Sequence, residues 1–249
     1  MNILITGANG FLGKNLIERL VKMHDINIMH YARGTSKLLL EKNLEECDFL
    51  FHFAAVHRPK DSEEFYRVND DFFNWILKKL EENHNNCPVL LTSSIQANDK
   101  TDYGRSKLIA ETLLKEHEEK AGAKGIIYRL NNTFGKWAMP NHHSVVATFC
   151  YNINRDLPIH ISNRNILMRF YYIDDVIDSF IAQLTGGILP DADGIYRLPN
   201  EKIIDITLGD VADKLYYFRD CQKNRSIPQL NAKIDKKLWS TYLSYAEKS

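Results

Sequence analysis

The segment Asn2-Ile3-Leu4-Ile5-Thr6, with the glycines that follow it at 7, 10 and 13, constrains this chain more than any other feature. The five residues read as a buried strand and G-x-x-G-x-x-G as a tight turn. Phe11 to about Met23, with Leu12, Leu16 and Leu20 at i, i+4 and i+8, reads as a helix. An ordinary βα turn is the plain alternative, but strand, glycine turn and helix in that order are the context a dinucleotide site requires. Side chains at Gly7 or Gly10 would crowd the turn and hold its backbone away from a pyrophosphate, whereas Gly13 lets the helix lie close to the strand. Free N–H groups and the helix dipole then hold the negative charge, so Gly7, Asn9, Gly10, Phe11, Leu12 and Gly13 are the candidate contacts.

The same alternation continues. Short apolar runs at Ile26–His30, Asp48–Phe53, Pro88–Ser94 and Gly125–Leu130 read as strands. Helical patterns fall around Leu38–Glu46, through Phe65, Val68, Phe72, Ile76 and Leu80, and over Asp102–Lys120. Strands alternating with helices predict an α/β fold, a doubly wound parallel sheet of the Rossmann type. After Asn131 the pattern breaks at Gly135, Pro140 and Asn141, and helices at Ser144–Asn154, Asp174–Leu184 and Leu208–Phe218 mix with short extended pieces. Residues 1–135 are therefore read as the dinucleotide domain and 136–249 as a smaller C-terminal substrate-binding lobe, some segments of which return to the sheet.

Composition narrows the function. Lysine plus arginine and aspartate plus glutamate both number 32, which leaves no net charge to draw the chain to nucleic acid or anionic lipid. The most apolar run, Cys47 to Val56, is broken by Asp48 and His52 and falls short of the ~20 residues of a bilayer span. With no secretory signal read at the N-terminus, a cytoplasmic protein is expected, and the widely spaced Cys47, Cys87, Cys150 and Cys221 read as reduced, mostly buried thiols. The pair His142-His143 has no further ligand at helical spacing, so no metal is expected.

Tyr103-Gly104-Arg105-Ser106-Lys107 puts a phenol and an ammonium on one helical face, following a strand that ends at Ser94. A tyrosine of pKa about 10 is a poor acid or base at neutral pH, and a neighbouring ammonium is expected to lower it. Serine can hydrogen-bond the oxygen that gains charge during hydride transfer. A Y-x-x-x-K pair alone is a common accident of helical surfaces; with the glycine turn and Ser94 it becomes a candidate catalytic set. At the end of the second strand Arg33 replaces the carboxylate that would bind the adenosine ribose. A guanidinium suits a 2′-phosphate, which favours NADPH over NADH, and a solvated surface arginine is the bland reading.

These motifs resemble the extended short-chain dehydrogenase/reductase superfamily, most of whose members modify nucleotide-activated sugars. His52-Phe53-Ala54-Ala55 is similar to its H-x-A-A/G segment, Asn69 takes its helical asparagine position, and Arg129 to Gly135 resembles R-x-x-N-x-x-G. Tyr172-Ile173-Asp174-Asp175-Val176 is similar to the late Y-V-D-D-V element. The resemblance implies cofactor contacts at Phe53, Ala54, Ala55, Asn69, Tyr103, Lys107 and Leu130, and substrate contacts at Ser94 and Asn132. Within the superfamily the chain is most similar to the reductase domains of two-domain capsular-polysaccharide enzymes. The shared strings are Ser93 to Ala97, Phe134-Gly135-Lys136-Trp137, Pro140 to Tyr151 and Trp239 to Tyr245. That likeness implies NADPH-dependent reduction of a C4 keto group on a UDP-linked 2-acetamido-2,6-dideoxy-hexulose, with Trp137 facing substrate. An NAD-dependent 4-epimerase, a reductase of the dTDP-4-keto-rhamnose type and a non-catalytic dinucleotide sensor are the alternatives.

Two departures stand out. The two-domain enzymes continue into a metal-binding cupin, and this sequence ends soon after Tyr245. The arginine that relatives place before the D-D pair is Met168 here, with Arg169 beside it on the opposite strand face, which leaves Arg164 as the candidate phosphate contact. Relatives often dimerise through helices flanking the active-site helix, so a homodimer is expected; Phe72, Phe73 and Trp75 are candidates for its surface, with core packing alone as the other reading.

Overall fold

The computed structural model describes residues 1–55, 70–142 and 144–246. Five parallel strands, β1 (Asn2–Thr6), β2 (Asn27–Tyr31), β3 (Phe49–His52), β4 (Val89–Ser94) and β5 (Gly125–Leu130), form one sheet in the order β2-β1-β3-β4-β5. Helices α1 (Phe11–Leu20), α2 (Lys37–Glu46), α3 (Phe72–Glu82) and α4 (Asp102–Ala121) alternate with them. This is the doubly wound α/β architecture of the Rossmann type. The connections out of β1 and β3 part company at the centre of the sheet, and ligands of such folds bind outside the carboxyl ends of the strands at that reversal.

Period-two burial explains why these runs are strands. Leu4, Leu50, Leu91 and Ile127 join one apolar cluster with Leu40 and Leu44 of α2, Phe73, Ile76, Leu77 and Leu80 of α3, and Ala110 and Leu114 of α4. The alternate residues Ile3, Ile5, Phe51, Leu90, Ile126 and Tyr128 are also buried, and Phe51 and Tyr128 meet the ring of Phe180. A sheet apolar on both faces must be covered on both. β2, with its mixed burial, is one edge, and β5 is at the other end of the sheet.

Compact packing divides the chain into two units. The first holds residues 1–130 and 180–197, and the second holds 131–179 and 198–249. The second has its own sheet, β6 (Asn132–Phe134), β7 (Leu167–Tyr172) and β8 (Ile204–Thr207), with β6 parallel and β8 antiparallel to the central β7. Around it lie α5 (Val145–Asn154), the start of α6 (Ile173–Ala182), α7 (Leu208–Lys223) and α8 (Lys233–Leu243), with Phe149, Phe170, Phe218, Leu238 and Tyr242 in its core. Among the described residues no helix is long and apolar enough to cross a membrane.

The three aromatics around the start of α3 pack against the core. Phe73 is fully buried, Phe72 stacks on Tyr31 and Trp75, and Trp75 lies under the Lys37 ammonium. Core packing accounts for Phe73 outright and for the inner sides of the half-buried Phe72 and Trp75.

The join between α4 and the sheet is polar. Glu111, 1% exposed, accepts a hydrogen bond from Ser93 Oγ at 2.5 Å and two from Arg129, Nε at 2.8 Å and Nη2 at 2.6 Å. One carboxylate thus ties α4 to β4 and β5 together. Removing one partner of a buried pair strands the other charge. Glu111→Ala should destabilise the protein by about 3–5 kcal/mol in urea unfolding, by the usual cost of such a loss.

Candidate active site

The glycine turn joins β1 to α1 at the reversal point. Gly7 has φ +70°, and a Cβ there would stand 2.7 Å from the backbone of Phe53 and Ala54. Turn and β3 end are therefore pressed together, and Thr6 and His52 brace them: Thr6 Oγ1 and His52 Nδ1 are 2.9 Å apart, and Ala54 N donates to Thr6 Oγ1. Burial foremost, and then the Lys107 charge, hold His52 near a pKa of about 3, so this brace is neutral at physiological pH. A Cβ on Gly13 would lie 2.5 Å from Gly7 O, so α1 is seated directly on the turn.

Gly10 differs from its two companions. The nearest atom to a Cβ there is Gly7 O at 3.1 Å, and no side chain caps α1 at this residue. Gly7 and Gly13 are required by the protein's own packing, whereas Gly10 keeps an uncapped helix N-terminus bare. That is the cradle a pyrophosphate needs, and it fits a dinucleotide. Gly13→Ala should cost about 1–3 kcal/mol in thermal or urea unfolding, as overpacking does, and Gly10→Ala distinctly less.

Beside the turn, Phe53, Ala54 and Ala55 are half-buried, with Phe53 stacked on Phe180. Leu130 pairs in register with Ser94 across β4 and β5. Arg33 is exposed in a turn closed by Thr35 N donating to Ala32 O and by Ala32 N donating to Thr35 Oγ1. Asn69 lies outside the described residues.

Ser94 ends β4 and Tyr103 opens α4. A single-turn segment, Ile95–Asn98, links them, and Ser94 Oγ accepts from Gln96 N. Thr101 Oγ1 caps α4 by accepting from Gly104 N. A Cβ on Gly104 would lie 2.3 Å from Gln96 O and 2.6 Å from Asp99 O, so only glycine lets the helix start against the turn that carries Ser94. One turn on, Lys107 is 6% exposed; its Nζ donates to Thr92 O at 3.0 Å and stands 5.9 Å from the Tyr103 ring centre. Ser94, Tyr103 and Lys107 are thereby brought together at the carboxyl edge.

The electrostatics differ from the helical-spacing expectation. Burial dominates at Tyr103 and pushes the phenol up to about 12, with the hydrogen bond from Ser94 pulling it back. Burial likewise lowers Lys107 to about 8, against the opposing pull of Asp70 and Glu111. Desolvation outweighs the favourable charge because both groups lie under protein rather than water. At neutral pH the pair is a neutral phenol beside an ammonium, an acid-form tyrosine.

Several contributors carry no motif. Glu111 continues the Tyr103–Lys107 face of α4, and helical spacing from Lys107 could have marked it. Thr92, Gly104 and Asp70 gave no such signal, because what they do depends on how α4 and β4 meet.

In the second unit, Asn132 is exposed on β6. Trp137, 43% exposed, holds a left-handed backbone with φ +69° and lies under the Lys136 ammonium. Tyr245 Oη pins the loop beneath it by donating to Ala138 O and Gly135 O, which explains the C-terminal aromatic string. Met168 faces the core while Arg169 is exposed and paired with Asp205. Arg164 is held by both oxygens of Asp213, at 2.6 and 2.7 Å, so a phosphate would have to compete for it. Asp175 binds Lys202 and Lys237, joining α6 to α8.

Known proteins resemble this chain in sequence and fold. The model described as the NAD dependent epimerase/dehydratase family matches residues 82–191, and that described as male sterility protein matches 5–60. A UDP-2-acetamido-2,6-beta-L-arabino-hexul-4-ose reductase of Pseudomonas aeruginosa is 38% identical over 98% of this chain and 65% of its own length. The crystal structure of the capsular polysaccharide assembling protein CapF of Staphylococcus aureus is 40% identical, with a TM-score of 0.89 over 99% of this chain and 66% of that one. The chain thus spans just under two thirds of both. A Thermus thermophilus UDP-glucose 4-epimerase in complex with NAD, 15% identical, shares the fold at a TM-score of 0.76 over 98% of this chain and 99% of its own.

Proposed function

We propose that this chain, a member of the NAD dependent epimerase/dehydratase family, is an NADPH-dependent reductase of the C4 keto group of a UDP-linked 2-acetamido-2,6-dideoxy-hexulose. Its place would be the cytoplasmic assembly of a bacterial capsule or O-antigen sugar. One observation carries the reading: a phenol kept protonated beside Ser94, one helical turn from a buried ammonium, at the edge where the glycine turn offers a pyrophosphate cradle. The similarity to a hexulose 4-reductase along nearly the whole chain supports the substrate class.

Gly10 to Gly13, with Phe53, Ala54, Ala55 and Leu130, would hold the dinucleotide, which would supply the hydride. The remaining work falls to the chain's own residues. Tyr103 in its acid form donates the phenolic proton to the C4 oxygen as that oxygen gains charge. Ser94 hydrogen-bonds the same oxygen. Lys107 stabilises the phenolate left behind, so the high resting pKa suits a reductase: the proton is present at the outset and leaves only as the ammonium's field becomes useful. An epimerase would first need Tyr103 as a base, for which its burial is unfavourable. Asn132, Trp137 and Arg164 orient the nucleotide sugar, and exposed Arg33 pairs with the 2′-phosphate.

Following NADPH absorbance with the UDP-4-keto sugar tests the reading. Tyr103→Phe should lower kcat by about 10²–10⁴-fold, the usual worth of a general acid, while dinucleotide binding survives. Undiminished turnover in that variant would sink the proposal. Arg33→Ala should cost about 10- to 100-fold in kcat/KM for NADPH, the worth of a charged hydrogen-bonded pair, and leave NADH use unchanged. Equal losses with both cofactors would remove Arg33 from the 2′-phosphate.

A further inference from the structure

A buried carboxylate near the catalytic pair has no role in the scheme above. Asp70 lies two residues ahead of α3 and is 7% exposed; both its oxygens are buried, and among the described residues neither accepts a hydrogen bond. Burying a carboxylate without donors is costly, and a protein keeps one where its field acts on something. Lys107 is as deeply buried, with Thr92 O taking one of the three hydrogens its ammonium can donate.

The groups around Lys107 come from four segments. On β3, His52 is neutral at physiological pH; on β4, Thr92 presents a carbonyl; on α4, Tyr103 is a neutral phenol. Glu111, also on α4, is a carboxylate, but Arg129 is paired with it at 2.6 Å and offsets its charge. From the chain ahead of α3 comes Asp70, with Asp71 beside it. Among the described residues, Asp70 is thus the carboxylate acting on Lys107 that has no cation of its own. The interaction is mutual: Lys107 favours the Asp70 anion, and Asp70 favours the Lys107 cation.

We propose that Asp70 is a positioning residue of the reductase site, whose carboxylate keeps the buried Lys107 ammonium charged. The inference rests on the reductase reading for its consequence. An uncharged amine would give no support to the phenolate formed when Tyr103 releases its proton. Burial raises Asp70 to about 7 and lowers Lys107 to about 8, so both charges coexist in a narrow interval around neutral to slightly alkaline pH. Loss of the Asp70 charge removes an influence that raises Lys107, so the ammonium deprotonates at lower pH.

The test is a pH titration of the full chain labelled with [13Cε]lysine, the Lys107 resonance being assigned through Lys107→Arg. In Asp70→Asn the Lys107 midpoint should fall by about one pH unit, a tenfold smaller ratio of ammonium to amine at a given pH. Asp70→Glu should restore most of it. Asp70→Ser removes the same charge with a smaller side chain and should match Asp70→Asn if the latter folds poorly. In turnover, the alkaline limb of kcat/KM should move down with the midpoint while the acid side stays. An unchanged Lys107 midpoint in both charge-removing variants, or a rate loss uniform across pH, overturns the proposal. The titration needs no substrate, so a shifted Lys107 in a protein that reduces no 4-keto sugar would sink the reductase reading and leave Asp70 in place.

Discussion

The seating of α4 on the carboxyl end of β4 is the constraint on which the site depends. Three contacts make it. Gly104 allows the first turn to lie against the carbonyls of Gln96 and Asp99, Lys107 reaches Thr92 O, and Glu111 binds Ser93 and Arg129. They are spaced along one helix face, so they fix rotation as well as distance. A helix turned by one residue, about 100°, would carry Tyr103 away from Ser94. Apolar packing of Ala110 and Leu114 holds the helix down without specifying its rotation so narrowly.

Polar groups at this seat lie under protein, and that governs their chemistry. Burial raises Tyr103, raises Asp70 and lowers both Lys107 and His52; in each case the neutral form is favoured. At Asp70 and Lys107 an opposite charge reduces the shift without reversing it, whereas at His52 the Lys107 charge adds to it. The result is a proton donor at rest, an ammonium held close to its limit and a neutral histidine brace. Proton chemistry at a sheet edge depends here on how little water is present as much as on which residues are there.

Much of this was legible in the sequence, for physical reasons. Strands β1, β3, β4 and β5 are apolar on both faces, and that is visible as continuous apolar runs. The Tyr103–Lys107 pair shares a face because helical periodicity is local. The glycine turn is recognisable because backbone that must bend, or be approached closely, admits few residues. Even the opposite facing of Met168 and Arg169 follows from strand alternation. The small sheet of β6, β7 and β8 was less legible: its strands are short, and they pair across long sequence separations that leave no periodic trace. What covers Phe72, Phe73 and Trp75 was not legible either, because aromatics around a helix look alike whether a sheet or a second subunit covers them.

The amino-acid order by itself determined the class of fold, the turn able to hold a dinucleotide, and which hydroxyl, phenol and amine belong together, since each follows from rules acting over a few residues. Only the tertiary structure decided the state of those groups. It showed that the protein's own packing crowds Gly7 and Gly13 more than Gly10, that Glu111 is matched by Arg129, and that buried Asp70, without a hydrogen-bond partner among the described residues, acts on Lys107. The physical reason is that desolvation and charge pairing depend on every neighbour in space, and those neighbours come from β3, β4, α4 and the chain before α3, far apart in the sequence.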